Sequence, residues 1–294
     1  MSVHPSRAPR RSKLFIMLIL TPIFVGILYS ASLTSLSLLI SALAPSFFLM
    51  FYFYIKDKYE PEPRVLIIRV FTLGFLMAVP AAIIESFVVS DGEGMFRLII
   101  DYFLGIALVE ELLKFSAFYF GAYRKSELNE PMDGIIYSVA AALGFATIEN
   151  IAYVAMGGIF VAAARAILAV PGHALFGATI GYYSGLAKFD PKRERSLHAK
   201  GILLATIYHG LYNLCVTLQP ILLGLVVAPM MIWLAARVKK SILVALELSP
   251  HKTSSQTKSR LLAKLEKAYQ NGRISKATYE EIKKRLNPDR DFSH

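Results

Sequence analysis

The chain has 294 residues, 55% of them apolar, with a mean hydropathy of +0.50 and a formal net charge of +11. Repeated uncharged runs of about 20 residues match the thickness of a hydrocarbon core and exclude an ordinary soluble domain; short alternating segments, which a β-barrel would need, are missing. The basic excess lies between the apolar runs and in the tail, which marks membrane topology rather than nucleic-acid binding, and the single Cys215 excludes an internal disulfide.

The basic stretch Arg7 to Lys13 runs into an apolar segment, 14–29, expected to be an uncleaved first span rather than a removed signal peptide. A second span is expected over 33–55, a charged connection with Pro61 and Pro63 over 56–69, and a third span to about Val89 with a kink at Pro80 and Glu85 near the headgroups. A short acidic turn over 91–94 leads into the fourth span, 96–123. The fifth, 132–156, is joined by Gly157-Gly158 to a sixth, 159–187, which Pro171-Gly172 should interrupt. A basic loop over 188–200 precedes a seventh span, 201–218, and Gln219-Pro220 turns the chain into an eighth that ends at Lys239-Lys240. Lys and Arg concentrate in alternate connections and at both ends. The expected fold is therefore all-α: a transmembrane helical bundle over 14–240 of about eight spans, with both termini cytoplasmic. Residues 251–294 are polar, and two apolar stripes broken at Asn271-Gly272 predict a cytoplasmic helical hairpin resembling the short C-terminal (SHOCT-type) hairpins, or a basic tail resting on anionic headgroups.

Within the fourth span stands Glu110-Glu111-Leu112-Leu113-Lys114. A carboxylate in lipid costs a few kcal/mol or more unless paired, hydrated or neutralised. On a helix Lys114 lies three and four positions from the two glutamates and can reach either, which leaves one negative charge uncompensated. Two such carboxyls should titrate as a pair, one acid and one base, which is the state that proton transfer to and from water requires. An ion-pair staple or a proton pathway would use the same residues.

Five further polar positions lie inside spans. The fifth carries Glu149 and Asn150. The sixth carries His173 beyond Pro171-Gly172, followed on the same face by Gly177, Gly181 and Gly185, a smooth groove for a second helix. The seventh presents His209 and Asn213 four apart. A tight turn at Gly157-Gly158 puts Glu149 and Arg165 at similar depth, where a salt bridge would reduce Glu149 to a supporting part. A rise-per-residue count sets Glu149 about one helical turn from Glu110 in depth, so a shared site needs tilt or a helix break.

Taken together, Glu110-Glu111-x-x-Lys114, Phe145-x-x-x-Glu149-Asn150, Pro-Gly-His173 and His209-x-x-x-Asn213 resemble the ordered motifs of PrsW-type intramembrane proteases, relatives of the CAAX-processing and bacteriocin-processing membrane proteases. The resemblance covers the fourth to seventh spans. Glu149 and Lys114 stand where the CAAX-type relatives carry His and Arg. It implies peptide-bond hydrolysis in the bacterial inner membrane, on membrane-anchored regulators such as anti-sigma factors. The expected catalytic set is Glu110 as base on water, Glu111 as its coupled partner, His209 and Asn213 at the oxyanion, and His173 and Glu149 orienting the water; Lys114, Asn150 and Arg165 support it. Small residues over 140–144 and the glycine face are expected to leave room for a hydrated cavity.

The expected mechanism needs no cofactor. A zinc-dependent alternative would use Glu110, Glu149, His173 and His209 as ligands, although a His-Glu-x-x-His pair is missing. The expected partners are the lipid bilayer and a membrane-anchored protein substrate, not nucleic acid. Of other classes, a proton-coupled transporter or channel would normally show two matching halves with broken helices, and the polar residues here cluster in spans four to seven. A scaffold or a lipid-headgroup hydrolase completes the alternatives.

Overall fold

The structure, a computed structural model, describes residues 35–89, 94–218, 220–271 and 274–286. The predicted first span, 14–29, lies outside the described residues. Those described are helical throughout, and strands are absent among them. Helix α1 is Ser35–Tyr54 and α2 is Arg64–Val88. Helix α3 runs over 95–123 as alternating α and π turns: Met95–Ile100, π-helical Asp101–Ala107, Leu108–Phe118 and π-helical Tyr119–Tyr123. Helix α4 is Pro131–Ile167, α5 is Ala169–Lys188 and α6 is Glu194–Leu218. Helix α7 covers 220–247, ending in Ala228–Glu247, and α8 (His251–Gln270) and α9 (Lys276–Leu286) follow.

Four stretches are long and apolar enough to cross a bilayer: Ser37–Tyr54, Arg64–Val88, Pro131–Lys188 and Glu194–Leu218. Their outward faces carry large exposed apolar side chains, among them Phe51, Ile68, Phe87, Phe160 and Leu203, a surface suited to lipid and untenable in water. The sequence predicts about eight spans. Two of the others, 95–123 and 220–247, are built of shorter helical pieces.

The 58-residue stretch Pro131–Lys188 is not one rod. Gly158 takes φ 67° and ψ −156°, a conformation open to glycine and not to a residue with Cβ. The chain doubles back there, because Arg165 Nε donates to Asn150 Oδ1 at 2.8 Å, whereas fifteen residues of straight helix would separate them by about 22 Å. A second break falls at Leu168, not at the expected Pro171-Gly172. The reason is the reach of proline: its ring clashes with the carbonyl four residues earlier, at Ile167, and its missing N–H leaves that carbonyl unpaired, so the helix yields one turn upstream. Gly172 N–H then bonds back to Leu168 O at 2.9 Å, which makes Pro171 part of the first turn of α5.

Small residues bring the central helices together. A Cβ on Gly181 would lie 2.3 Å from Gly134 O, and one on Gly74 would lie 2.0 Å from Ala141 O, so α4 touches α5 and α2 backbone to backbone. Gly177 and Gly185 continue the α5 seam against α4. The stretch over 140–144 is fully enclosed, and a Cβ on Gly144 would lie 2.0 Å from Phe71 O of α2. It therefore seals the helix crossing, whereas the sequence led us to expect that it would line a hydrated cavity; the cavity described below is lined by other residues. Beyond the bundle, α8 and α9 lie against each other with the Tyr269 and Tyr279 rings stacked at 4.7 Å.

Candidate active site

The α-helical part of α3, Leu108–Phe118, opens with the two glutamates and follows directly on a π-helical turn. Such bulges re-aim the residues beside them and recur at functional sites. Here Glu110, Glu111 and Lys114 all face inward and are buried, Glu111 completely. Lys114 Nζ donates to Glu110 Oε2 at 2.8 Å and to Glu111 Oε1 at 2.9 Å. Its third proton points to His173 Nδ1, 3.0 Å away on α5, and the Phe145 ring of α4 lies 4.4 Å from the ammonium. All three N–H bonds of one cation are thus used inside the protein.

From α6, His209 Nδ1 meets Glu111 Oε1 at 2.9 Å, while its Nε2 lies 3.9 Å from Glu110 Oε2. Phe176 stacks on the His209 ring at 5.3 Å and fixes its plane, and the His173 ring stands edge-on to it at 5.2 Å. With Nδ1 given to the glutamate, Nε2 is the atom turned toward Glu110.

His173 also joins the two depths that helix geometry keeps apart. Its Nδ1 accepts the hydrogen bond from Lys114, so the ring proton sits on Nε2, which approaches Glu149 Oε2 at 2.9 Å. Arg165 Nη2 lies 3.3 Å from the same oxygen. Neither approach is aligned as a hydrogen bond; that of Arg165 is a charge contact, and that of the neutral imidazole a polar one. The expected Glu149–Arg165 pair therefore forms, while Glu149 keeps contact with the inner cluster through one imidazole. Asn150 points away from the site: its amide donates to Ala42 O at 2.7 Å on α1 and its carbonyl receives Arg165. Tyr153 supports the guanidinium from below at 4.2 Å.

A cavity of about 380 Å³ opens on this cluster. Glu110, Glu149, Arg165, His173, His209 and Asn213 all line it; Glu111, Lys114 and Asn150 do not. Glu85 of α2 lines it too, with one carboxyl oxygen buried and unpartnered, whereas the sequence placed this residue among headgroups. Tyr102 and Thr217, hydrogen-bonded to each other at 2.7 Å, and Tyr212 were also missed. A hydroxyl on an apolar helix carries no signal of its own; only the helix crossing reveals that it faces inward.

One donor atom from each of Glu110, Glu111, His173 and His209 falls within 4.8 Å of the others, a set that could hold a metal ion. It contains Glu111 where the sequence-based alternative had Glu149, because the contact of Glu149 is with the far nitrogen of His173.

A sequence profile described as "PrsW family intramembrane metalloprotease" matches residues 62–237, more than half of the chain. Among curated proteins, "Protease PrsW" of Geobacillus kaustophilus is 41% identical over 177 residues, 60% of this chain and 78% of that protein. "Protease PrsW" of Oceanobacillus iheyensis is 40% identical over 178 residues, 60% of this chain and 82% of that one. The protein of the same name from Bacillus subtilis is 33% identical over 178 residues, covering 60% and 81%. No solved structure matches the chain. The matched region spans the whole of the buried carboxylate–imidazole cluster, and the chain belongs to the PrsW family of intramembrane proteases.

Proposed function

We propose that this membrane peptidase hydrolyses peptide bonds of membrane-anchored proteins by a glutamate-activated water, with Glu110 as the base. The observation that carries this reading is the Lys114 ammonium, within 3.0 Å of Glu110, Glu111 and His173 at the margin of a cavity that Glu110 itself lines. A resident cation offsets part of the burial cost of two carboxylates and leaves the exposed oxygen of Glu110 as the proton acceptor.

In this reading Glu110 takes a proton from water, the oxygen bonds to the scissile carbonyl carbon, and the same proton passes to the leaving nitrogen as the C–N bond breaks. His209, held through Nδ1 by Glu111, and Asn213 line the space where the oxyanion forms, the Asn213 amide as a donor. Glu111 acts through His209, holding the ring by Nδ1. His173, Glu149 and Arg165 position the wall that meets the substrate.

A metal-dependent version is the second reading. The clustered donors of Glu110, Glu111, His173 and His209 favour it, as do the unpartnered Glu111 Oε2 and the family description. An ion of the zinc class held there would supply Lewis acidity and a more acidic water. It would also have to displace Lys114 from three of its four ligands, which is why we place it second.

The test uses the full chain in nanodiscs with a single-span peptide carrying an anti-sigma-like membrane anchor. Cleavage by the wild type, its loss in Glu110→Gln, and activity that survives chelation in protein free of bound metal support the first reading. Undiminished cleavage by Glu110→Gln would sink it. Activity that tracks metal content moves the assignment to the second. The alternating distribution of Lys and Arg supports a multi-pass protein of the bacterial cell membrane, with about eight spans, both termini and the α8–α9 pair on the cytoplasmic side.

A further inference from the structure

At the end of the bundle where α1 turns into α2 and α4 begins, a second group of carboxyls is buried away from the cavity. Asp57 and Glu62 come from the α1–α2 connection, Glu130 from the residue before α4, and Asp133 from its first turn; each is at least nine-tenths buried. Each gives one oxygen to a protein donor. Asp57 Oδ2 accepts Glu62 N–H at 3.2 Å, Asp133 Oδ2 accepts the N–H groups of Asn129 and Glu130 at 2.8 and 2.7 Å, Glu130 Oε2 accepts the Ser249 hydroxyl, and Glu62 accepts the Tyr137 hydroxyl. The second oxygens of Asp57, Glu130 and Asp133 are buried with no N–H or hydroxyl donor, and the carboxyls lie against one another, Asp57 beside Glu130 and Asp133 beside Glu62.

One oxygen from each of Asp57, Glu130 and Asp133 lies within 4.8 Å of the others. None of the ion pairs among the described residues brings a Lys or Arg to these carboxyls. His251, two residues beyond Ser249, is engaged by Glu60 at 2.7 Å and by Asn129 at 2.9 Å. Several acidic groups without a counter-charge, each pinned by one oxygen so that the other faces its neighbours, need something positive between them. The donor atoms are all carboxylate oxygens, hard ligands that favour ions of the magnesium and calcium class over zinc.

We propose that Asp57, Glu130 and Asp133 form a site for a hard divalent cation that ties the α1–α2 connection to the start of α4. Through Ser249 on Glu130 it also anchors the segment that leads into α8. The site is separate from the catalytic cavity and does not depend on how peptide hydrolysis is achieved.

The rival means of neutralisation is protonation, and binding measurements separate the two. Full-length protein in nanodiscs, stripped with chelator at pH 8, is titrated with Mn²⁺ and followed by electron paramagnetic resonance and by thermal unfolding. We expect a saturable Mn²⁺ site, displaced by excess Mg²⁺ or Ca²⁺, with a rise in Tm. Glu110→Gln should retain it. Asp57→Asn combined with Glu130→Gln should lose it, and Asp133→Asn, which keeps an acceptor for the start of α4, should weaken it by about tenfold or more. Absence of saturable binding in the wild type overturns the proposal. So does binding of unchanged affinity in Asp133→Asn, whether or not the double variant folds.

Discussion

Lys114 Nζ stands 3.0 Å from His173 Nδ1, so the ammonium that pairs with the α3 glutamates also fixes which nitrogen of the α5 imidazole carries a proton. Both side chains are almost wholly enclosed. Removing Lys114 therefore strands two carboxylates and frees the imidazole at once. Lys114→Met should lower stability by about 3–5 kcal/mol, the cost of an uncompensated buried charge. Adding Glu110→Gln should restore part of the loss, because one of the stranded charges is gone. Unfolding of the two single variants and the double variant checks this; a double variant no more stable than Lys114→Met would contradict the pairing.

Glu110 and Glu111 are adjacent but not equivalent, since only Glu110 lines the cavity. Glu110→Gln should abolish cleavage, by about 100-fold or more, with little change in Tm, as expected where an isosteric change removes a base. Glu111→Gln leaves Lys114 and His209 without their shared carboxylate and should lower both activity and Tm. Turnover and unfolding measured on the same preparations distinguish the two patterns.

Gly158 and Gly181 serve different needs. At Gly158 the backbone conformation is the obstacle, and Gly158→Ala should cost about 1–3 kcal/mol. At Gly181 the obstacle is the Gly134 carbonyl, 2.3 Å from the added carbon, so Gly181→Val must push α4 and α5 apart and should be the more damaging. Thermal unfolding in detergent ranks them.

Stability should also depend on pH through the carboxyls at the α1–α2 connection. Burial, with the Glu130 and Asp133 charges, pushes the Asp57 carboxyl up to about 8; burial, with the Asp57 charge, pushes Glu62 up to about 7. Both groups bind protons more tightly folded than unfolded. Their contribution is therefore intact below about pH 4, falls as pH rises from there, and is gone once pH has passed through 7 to 8. In the presence of chelator, Tm should fall over that window, and Asp57→Asn should flatten the fall. A Tm of the wild type that climbs from pH 5 to 8 would be the opposite sign.

Much of the site was legible because polarity inside an apolar run needs a physical reason. Glu110, Lys114, His173 and His209 stand out against their neighbours, and their ordered spacing carried the family resemblance; the family assignment in turn favours a hydrolase over a transporter or channel. Other features were hidden by the same rule. Asp57, Glu62 and Glu130 lie in connections, where charge is ordinary, so their burial could not be read from the chain. Glu85 near a span end had an innocent explanation in headgroups. Pro171 was recognised as a breaker, but its effect is felt four residues away at Ile167. Ala140 to Gly144 were small enough for either a cavity or a close crossing, and only the partner helix decides between them.

Glu149, Arg165 and His173 come from three consecutive segments separated by the reversal at Gly158 and the break at Leu168. Each extra residue in a helix turns all that follows by about 100°. The interval from 149 to 173 is thus a ruler as much as a scaffold: an insertion or deletion within its helical turns would swing the imidazole out of reach of the α3 ammonium.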